Sequence, residues 1–201
     1  RPAMSNEIIS YLDMCQLEGV NLQQGMNFRL GGAYSVILMS VRHNAPYRDE
    51  VVDDGRAVIY EGHDIPRTDR TIDPKVVDQP QYTPSGSLTQ NGKFHDAALQ
   101  FKQGAQPAES VRVYEKIRPG IWSSNGTFRL VDSWLANDGR RNVFKFRLEA
   151  VPETRSNRRP RLNDAESTRV IPTRVKLEVW RRDGGKCVVC EASDELHFDH
   201  I

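Results

Sequence analysis

Alternating apolar and polar positions predict the strands of this chain, and the cleanest alternation lies in residues 142–150. There Phe144, Phe146 and Leu148 occupy every second position, the period of a strand with one buried face. The preceding segment ANDGR is typical of a hairpin turn. Further stretches rich in β-branched and aromatic residues predict strands at 33–41, 56–62, 111–117 and 127–135.

Helical spacing appears in three places. Residues 5–17 carry Ile8, Ile9 and Leu12 on one face, and Ser5 is in position to cap that helix. Residues 92–104 repeat apolar side chains at helical intervals, and Gly104 can end the helix. A short helix follows from Thr173, its expected cap, to Gly184 and Gly185.

Two polar stretches separate these elements. Residues 63–92 contain four prolines and many small polar residues, and loops of this length inside a domain are usually functional or disordered. Residues 152–172 are poor in apolar side chains and rich in arginine, which indicates a linker. Its arginines serve either as a solvated tether or as phosphate contacts. The elements before this linker form a β-dominated α+β domain.

Composition excludes only a few classes of protein. The net charge of +1 neither supports nor excludes a nucleic-acid partner, because a local basic patch matters more than the total. The chain has no apolar run of transmembrane length and no signal-peptide core near its first residue, so we expect a cytoplasmic protein. Three cysteines argue against a disulfide framework; Cys15 fits a buried apolar position, whereas Cys187 and Cys190 have the spacing of a metal knuckle.

Four stretches together resemble the SRA (YDG) domain, a reader of modified cytosine. They are GGAYSVILMS, YRDEVVDDGRAVIYEGHD, VRVYEKI and GTFRLVDSWLANDGRRNVFKFRL, in that order. The resemblance implies a curved sheet or barrel with flanking helices over residues 20–151, after an N-terminal helical segment at 1–19. It also implies double-stranded DNA as the partner, with the modified base flipped out of the duplex into a pocket.

Similarity to the family motif assigns the pocket residues. Tyr47 and Tyr60 would be its two aromatic walls, and the acid that binds the Watson–Crick edge falls at Asp49 or Glu50. We favour Glu50, although one extra residue in EVVDDG leaves the register open. Glu61 stands where the familiar readers carry threonine, so the pocket could accept 5-methylcytosine or 5-hydroxymethylcytosine.

Other residues near this motif are weaker candidates for DNA contact. His63 and Asp64 follow the second tyrosine and are as consistent with a pocket position as with an ordinary one. The long loop falls where the family inserts a finger into the space left by the flipped base. Candidate contacts there and at the next helix are Arg67, Arg70, Gln90 and Lys93.

The tail VWRRDGGKCVVCEASDELHFDHI resembles the opening of an HNH endonuclease module of the ββα-metal type. This resemblance implies that His200 is the general base and that Asp199 binds a catalytic Mg²⁺ or Mn²⁺. Cys187 and Cys190 would supply half of a four-ligand structural Zn²⁺ site. We expect the second cysteine pair, an asparagine and a final histidine beyond residue 201, so that this chain binds DNA without cutting it.

Together the resemblances imply a bacterial modification-dependent endonuclease, with the linker at 152–172 and an incomplete HNH module at 173–201. Cutting both strands needs two nuclease sites, which suggests a homodimer. One alternative is a non-catalytic reader of modified DNA with a structural zinc element. Another is that the SRA-like region binds a different ligand altogether.

Overall fold

The centre of the molecule is one open β-sheet with helices packed against it. The computed structural model describes residues 3–68, 70–152 and 169–199. The strands within these ranges are β1 (Ile8–Ser10), β2 (Met26–Asn27), β3 (Ser35–Met39), β4 (Glu50–Val52), β5 (Ala57–Glu61), β6 (Glu109–Arg118), β7 (Ile121–Asn137) and β8 (Asn142–Ala150). The helices are α1 (Tyr11–Glu18), α2 (Gln90–Lys102) and α3 (Thr173–Asp183).

The strand order across the sheet is β2-β3-β6-β7-β8-β5-β4, and β1 pairs with β7 outside this path. Neighbouring strands are antiparallel except β3 and β6, which are parallel. The hairpin between β7 and β8 confirms the turn predicted from ANDGR. Strands β2 and β4 therefore form the two edges of the sheet.

A core of aromatic and branched side chains lies between the sheet and α2. Phe144, Phe146 and Leu148 are all buried, which confirms the alternation found in the sequence. Phe94 of α2 packs edge-on against Phe146, with ring centroids 6.0 Å apart. The Thr89 hydroxyl caps α2 by accepting the Gly92 backbone N–H at 3.1 Å, so the helix begins two residues before the predicted start.

The N-terminal helix predicted over 5–17 is wrong in its first half. Residues Ile8–Ser10 form β1, because their backbone pairs with Ile121–Ser123 at the start of β7. Ser10, rather than Ser5, caps α1 and accepts the Asp13 backbone N–H at 3.1 Å. Strand β7 accordingly begins six residues before the predicted start at 127.

The C-terminal end of the predicted linker packs on the sheet. The backbone N–H of Val170 donates to the Gly55 carbonyl at 2.8 Å, and a side chain at Gly55 would collide with this segment. Val170 and Ile171 are buried. Residues 153–168 lie outside the described ranges, so the linker predicted at 152–172 can be followed only at its two ends.

Helix α3 is held by a buried ion pair. The Lys176 ammonium of α3 lies 2.9 Å from the Glu115 carboxylate of β6, and both side chains are fully buried. Thr173 does not cap the helix as predicted, because its hydroxyl donates to Glu115 instead. Lys176 also donates to the Asn125 side-chain oxygen at 2.7 Å, so one cluster joins α3 to β6 and β7.

The segment after α3 contacts the N-terminal strand. The Ile8 backbone N–H donates to Leu196 at 2.8 Å, and the Phe198 N–H donates to Asn6 at 2.9 Å. Phe198 is buried. The division at residue 173 into two modules stays a prediction, but the described parts of both share contacts. None of the described helices combines the length and the apolar character needed to cross a bilayer.

Candidate functional site

Three of the predicted pocket residues line one cavity. It has a volume of about 470 Å³ and lies between the segment after β3 and the strands β3, β5 and β6. Tyr47, Asp49 and Tyr60 all contribute to its wall. Other side chains and backbone around it belong to Gly25, Leu38, Ser40, Arg42, Lys116 and Trp122.

Strand β5 holds Tyr60 firmly in place. Its side chain is only 3% exposed, and its hydroxyl donates to the Leu38 carbonyl at 3.3 Å. Burial raises the pKa of Tyr60 well above its usual value, so the hydroxyl stays a neutral donor. A Cβ atom at Gly25 would lie 2.6 Å from this hydroxyl, so only glycine leaves room for the ring.

Tyr47 lies in the loop between β3 and β4 and is half-buried. Its hydroxyl accepts the Asp64 backbone N–H at 3.4 Å. The Lys75 ammonium lies over its ring, 4.1 Å from the ring centroid. Tyr47 therefore depends on the loop after β5 for its position, whereas Tyr60 depends on the sheet.

Asp49 is the buried acid of this cavity. One carboxylate oxygen accepts the Ser40 N–H at 3.0 Å, and the other accepts the Glu61 N–H at 3.0 Å. Burial disfavours the charged form and raises the pKa of Asp49 to about 7, although the two backbone donors act in the opposite direction. The carboxyl can therefore change its protonation near neutral pH.

The preference for Glu50 as the cavity acid does not fit this geometry. Glu50 does not line the tyrosine cavity, and its side chain is exposed on a second cavity beside α3, which Asp49 also borders. Glu61 does not line the tyrosine cavity either. Its carboxylate lies 2.9 Å from the Lys145 ammonium, which also donates to the Arg48 carbonyl at 3.0 Å.

His63 and Asp64 hold the loop after β5 rather than the cavity, which neither of them lines. The buried Asn91 side chain accepts the His63 N–H at 2.9 Å and donates to the His63 carbonyl at 2.9 Å. Asp64 forms ion pairs with Arg141 at 2.7 Å and Lys75 at 2.8 Å. Sequence reasoning missed Asn91, Lys75 and Arg141, because nothing in their local pattern indicates such distant partners.

The candidate DNA contacts differ in exposure. Arg67 and Arg70 are exposed on the long loop, as a DNA contact requires. Lys93 is half-buried in the first turn of α2. Gln90 accepts the Phe28 backbone N–H at 2.8 Å, so its side chain is engaged within the fold and does not project as a finger tip.

The cysteine pair forms a tight turn after α3. Backbone N–H groups of Cys190 and Val189 point at the Cys187 sulfur and lower the pKa of its thiol. Asp199 is exposed, and His200 lies outside the described ranges. Among residues 3–68, 70–152 and 169–199, no group of three or more metal-binding side chains is assembled. A zinc ribbon takes four ligands, and the described residues near this turn contribute only the two cysteines as candidates.

No protein-family model and no curated protein matches this chain. The chain does match solved structures. The SRA domain of SUVH5 in its complex with hemimethylated CG DNA superposes with a TM-score of 0.52 at 19% identity, covering 76% of this chain and 90% of that one. Its complexes with methylated CHH DNA and with fully methylated CG DNA give TM-scores of 0.51 and 0.50, also at 19% identity. Each match covers 75% of this chain and 90% of the SUVH5 chain. The chain therefore has an SRA-like fold.

Proposed function

We propose that this chain binds double-stranded DNA by holding a modified cytosine, flipped out of the duplex, in the cavity of Tyr47, Asp49 and Tyr60. The observation that carries the proposal is that the two tyrosines and one buried carboxyl share one cavity of about 470 Å³. The solved SRA structures of the same fold were obtained with methylated DNA, which supports the choice of ligand.

The energetics of the cavity suit a flipped base. Extruding a nucleotide costs a few kcal/mol, and stacking on an aromatic side chain returns about 1–3 kcal/mol per base. Two tyrosines are therefore of the right scale to offset the cost. Since their hydroxyls are already bonded to Leu38 and Asp64, both rings are held before a base enters.

Asp49 gives the cavity its base preference in this proposal. Cytosine presents an amino donor and a ring-nitrogen acceptor on its pairing edge. A carboxyl with a pKa of about 7 can accept a hydrogen bond from the amino group. When it is protonated, it can also donate a hydrogen bond to the ring nitrogen. The Glu61 carboxylate is paired with Lys145 outside the cavity wall, so it is not the acceptor for a hydroxymethyl group.

The test compares the affinities of the 201-residue chain for matched duplexes containing cytosine, 5-methylcytosine or 5-hydroxymethylcytosine. All measurements use one salt concentration, because phosphate contacts make affinity salt-dependent. We expect at least tenfold tighter binding to a modified duplex, which is about 1.4 kcal/mol. Tyr47→Ala should abolish this preference, and equal binding of the unaltered chain to all three duplexes would reject the proposal.

A matched control for Tyr47→Ala is Tyr34→Ala. Tyr34 is also half-buried and also lies under a cation, since the Arg112 guanidinium is 3.9 Å from its ring centroid, but it does not line the cavity. We expect Tyr34→Ala to keep the preference for modified DNA. Thermal unfolding of each variant separates a loss of binding from a loss of folding.

We further propose that the protein carrying this chain is a modification-dependent endonuclease of the HNH type. The turn at Cys187 supports this, because its lowered thiol pKa favours the thiolate that binds zinc. In the proposal His200 activates water and Asp199 binds Mg²⁺ or Mn²⁺, which stabilises the charge that develops on the phosphate. A Zn²⁺ ion on Cys187 and Cys190 would need two more ligands.

Cleavage is tested in a protein that carries the complete module. We expect His200→Ala to abolish metal-dependent cutting of modified duplexes and to leave their binding unchanged. Cutting that survives this substitution would remove His200 from the catalytic role. If the unaltered protein binds modified DNA and never cuts it, the alternative of a non-catalytic reader with a structural zinc element is supported instead.

A further inference from the structure

We infer that Lys75 is a positioning residue for the base cavity: it fixes the ring of Tyr47 from the loop after β5 and so contributes to the preference for a modified base. The inference rests on the proposed function of the cavity. Lys75 belongs to the long polar segment in which sequence analysis pointed to Arg67 and Arg70, and no pattern in the sequence distinguishes it from its neighbours.

Three contacts converge on the Lys75 ammonium. It lies 4.1 Å from the centroid of the Tyr47 ring, within the range of a cation–π interaction. It donates to the Pro46 carbonyl at 2.5 Å, the residue directly before Tyr47. It also pairs with the Asp64 carboxylate at 2.8 Å. The ammonium thus holds both the backbone and the ring of this tyrosine.

Lys75 itself has a rigid support. Its partner Asp64 is about 10% exposed and also pairs with Arg141 at 2.7 Å. Arg141 directly precedes β8 and is buried. It donates to the Pro74 carbonyl at 2.6 Å and to the Val77 carbonyl at 3.3 Å. This chain of contacts connects the hairpin, through Asp64 and Lys75, to Tyr47.

The position of Lys75 leaves the cavity open. Lys75 is not among the residues that line it, whereas Tyr47 and Pro46 are. Its ammonium therefore approaches Tyr47 from outside the cavity, and an incoming base would not displace it. A ring that is already fixed loses less side-chain freedom when a base stacks on it, which strengthens binding without a new contact to the ligand.

The test measures the affinities of Lys75→Met and Lys75→Arg for 5-methylcytosine and cytosine duplexes. Methionine keeps most of the alkyl chain and removes the charge, whereas arginine keeps the cation. We expect Lys75→Met to weaken binding to the modified duplex by three- to tenfold and to change binding to the unmodified duplex by less than twofold. Lys75→Arg should retain most of the preference.

A double-mutant cycle shows whether Lys75 acts through Tyr47. In the Tyr47→Ala background, Lys75→Met should have less than a twofold further effect, because the ring it positions is gone. Full additivity of the two substitutions would overturn the inference. So would an equal loss on both duplexes accompanied by a smaller dependence of affinity on salt, since that combination identifies a phosphate contact.

Lys102→Met is the matched control for loss of a lysine charge. Lys102 is similarly exposed, pairs with Asp132 at 2.7 Å and does not line the cavity, so we expect its substitution to leave the preference unchanged. The two failures are distinguishable. An unaltered chain without preference for modified DNA rejects the proposed function, whereas a normal preference in Lys75→Met rejects only the role of Lys75.

Discussion

Asp49 combines burial with two backbone donors, and this combination has a measurable consequence for stability. Its pKa in the folded chain is about 7, above the ordinary value of 3.8, so the folded state holds the proton more tightly than the unfolded state does. The stabilisation from this group is therefore fully present below pH 4. It is lost as the pH rises through about 7.

We predict that this loss disappears in Asp49→Asn. The unaltered chain should lose stability relative to the variant between pH 5 and pH 8, as measured by the midpoint of urea unfolding at each pH. The variant starts from a lower stability, because one of its amide atoms is a donor that faces a backbone N–H. A difference between the two proteins that does not change with pH would show that Asp49 titrates normally.

At the residue scale, the motif predicted the two tyrosines of the candidate site, whereas the choice of its acid required the structure. Tyr47 and Tyr60 share a cavity, as expected from the resemblance. The choice between Asp49 and Glu50 could not be made from spacing, because adjacent residues on an extended segment point to opposite sides and a single extra residue reverses the choice. Lys75 was missed because its role depends on contacts across the fold.

At the element scale, local pattern predicted well where an element is stabilised locally. The alternation in β8 and the helical spacing around Phe94 both describe buried faces. The segment Ile8–Ser10 was assigned to a helix, since its three residues become a strand only by pairing with β7, far along the chain. Short segments like this one have no periodicity of their own.

Helix α3 supplies a prediction at this scale, because its anchor is an ion pair in the interior. Lys176→Met leaves the fully buried Glu115 carboxylate without its cation. Removing one partner of a buried pair typically costs about 3–5 kcal/mol. We expect a loss of this size in the free energy of unfolding, measured with urea.

A double variant that removes both charges of the pair is the control for that measurement. Glu115→Gln combined with Lys176→Met removes both charges, so the double variant should recover part of the stability lost in Lys176→Met alone. If Lys176→Met costs less than about 1 kcal/mol, the pair is not an anchor of α3. Such a result fits only a pair that water can reach, against the burial seen here.

At the scale of the whole molecule, the sequence predicts two separate units, whereas the structure shows contacts between the described parts of both. The sequence divides the chain at an arginine-rich stretch, whereas the structure joins the described residues on both sides of it. Residues 169–199 contribute Val170, Lys176 and Phe198 to buried contacts with the sheet and the N-terminal strand. Composition could not show this, since contacts between distant segments leave no local signal.

A shortened chain tests whether the SRA-like part folds alone. In a chain of residues 1–151 the Glu115 carboxylate and the Asn125 side chain lose their partner Lys176. Ile8 of β1 also loses its contact to Leu196, and Asn6 loses its contact to Phe198. Because unpaired polar groups in an interior are costly, we predict a lower urea midpoint than for the 201-residue chain. Cys187→Ser in the full chain is the control, since Cys187 has no role in these buried contacts. An unchanged midpoint in the shortened chain would mean that residues 1–151 are an independent domain, as the sequence pattern alone predicts.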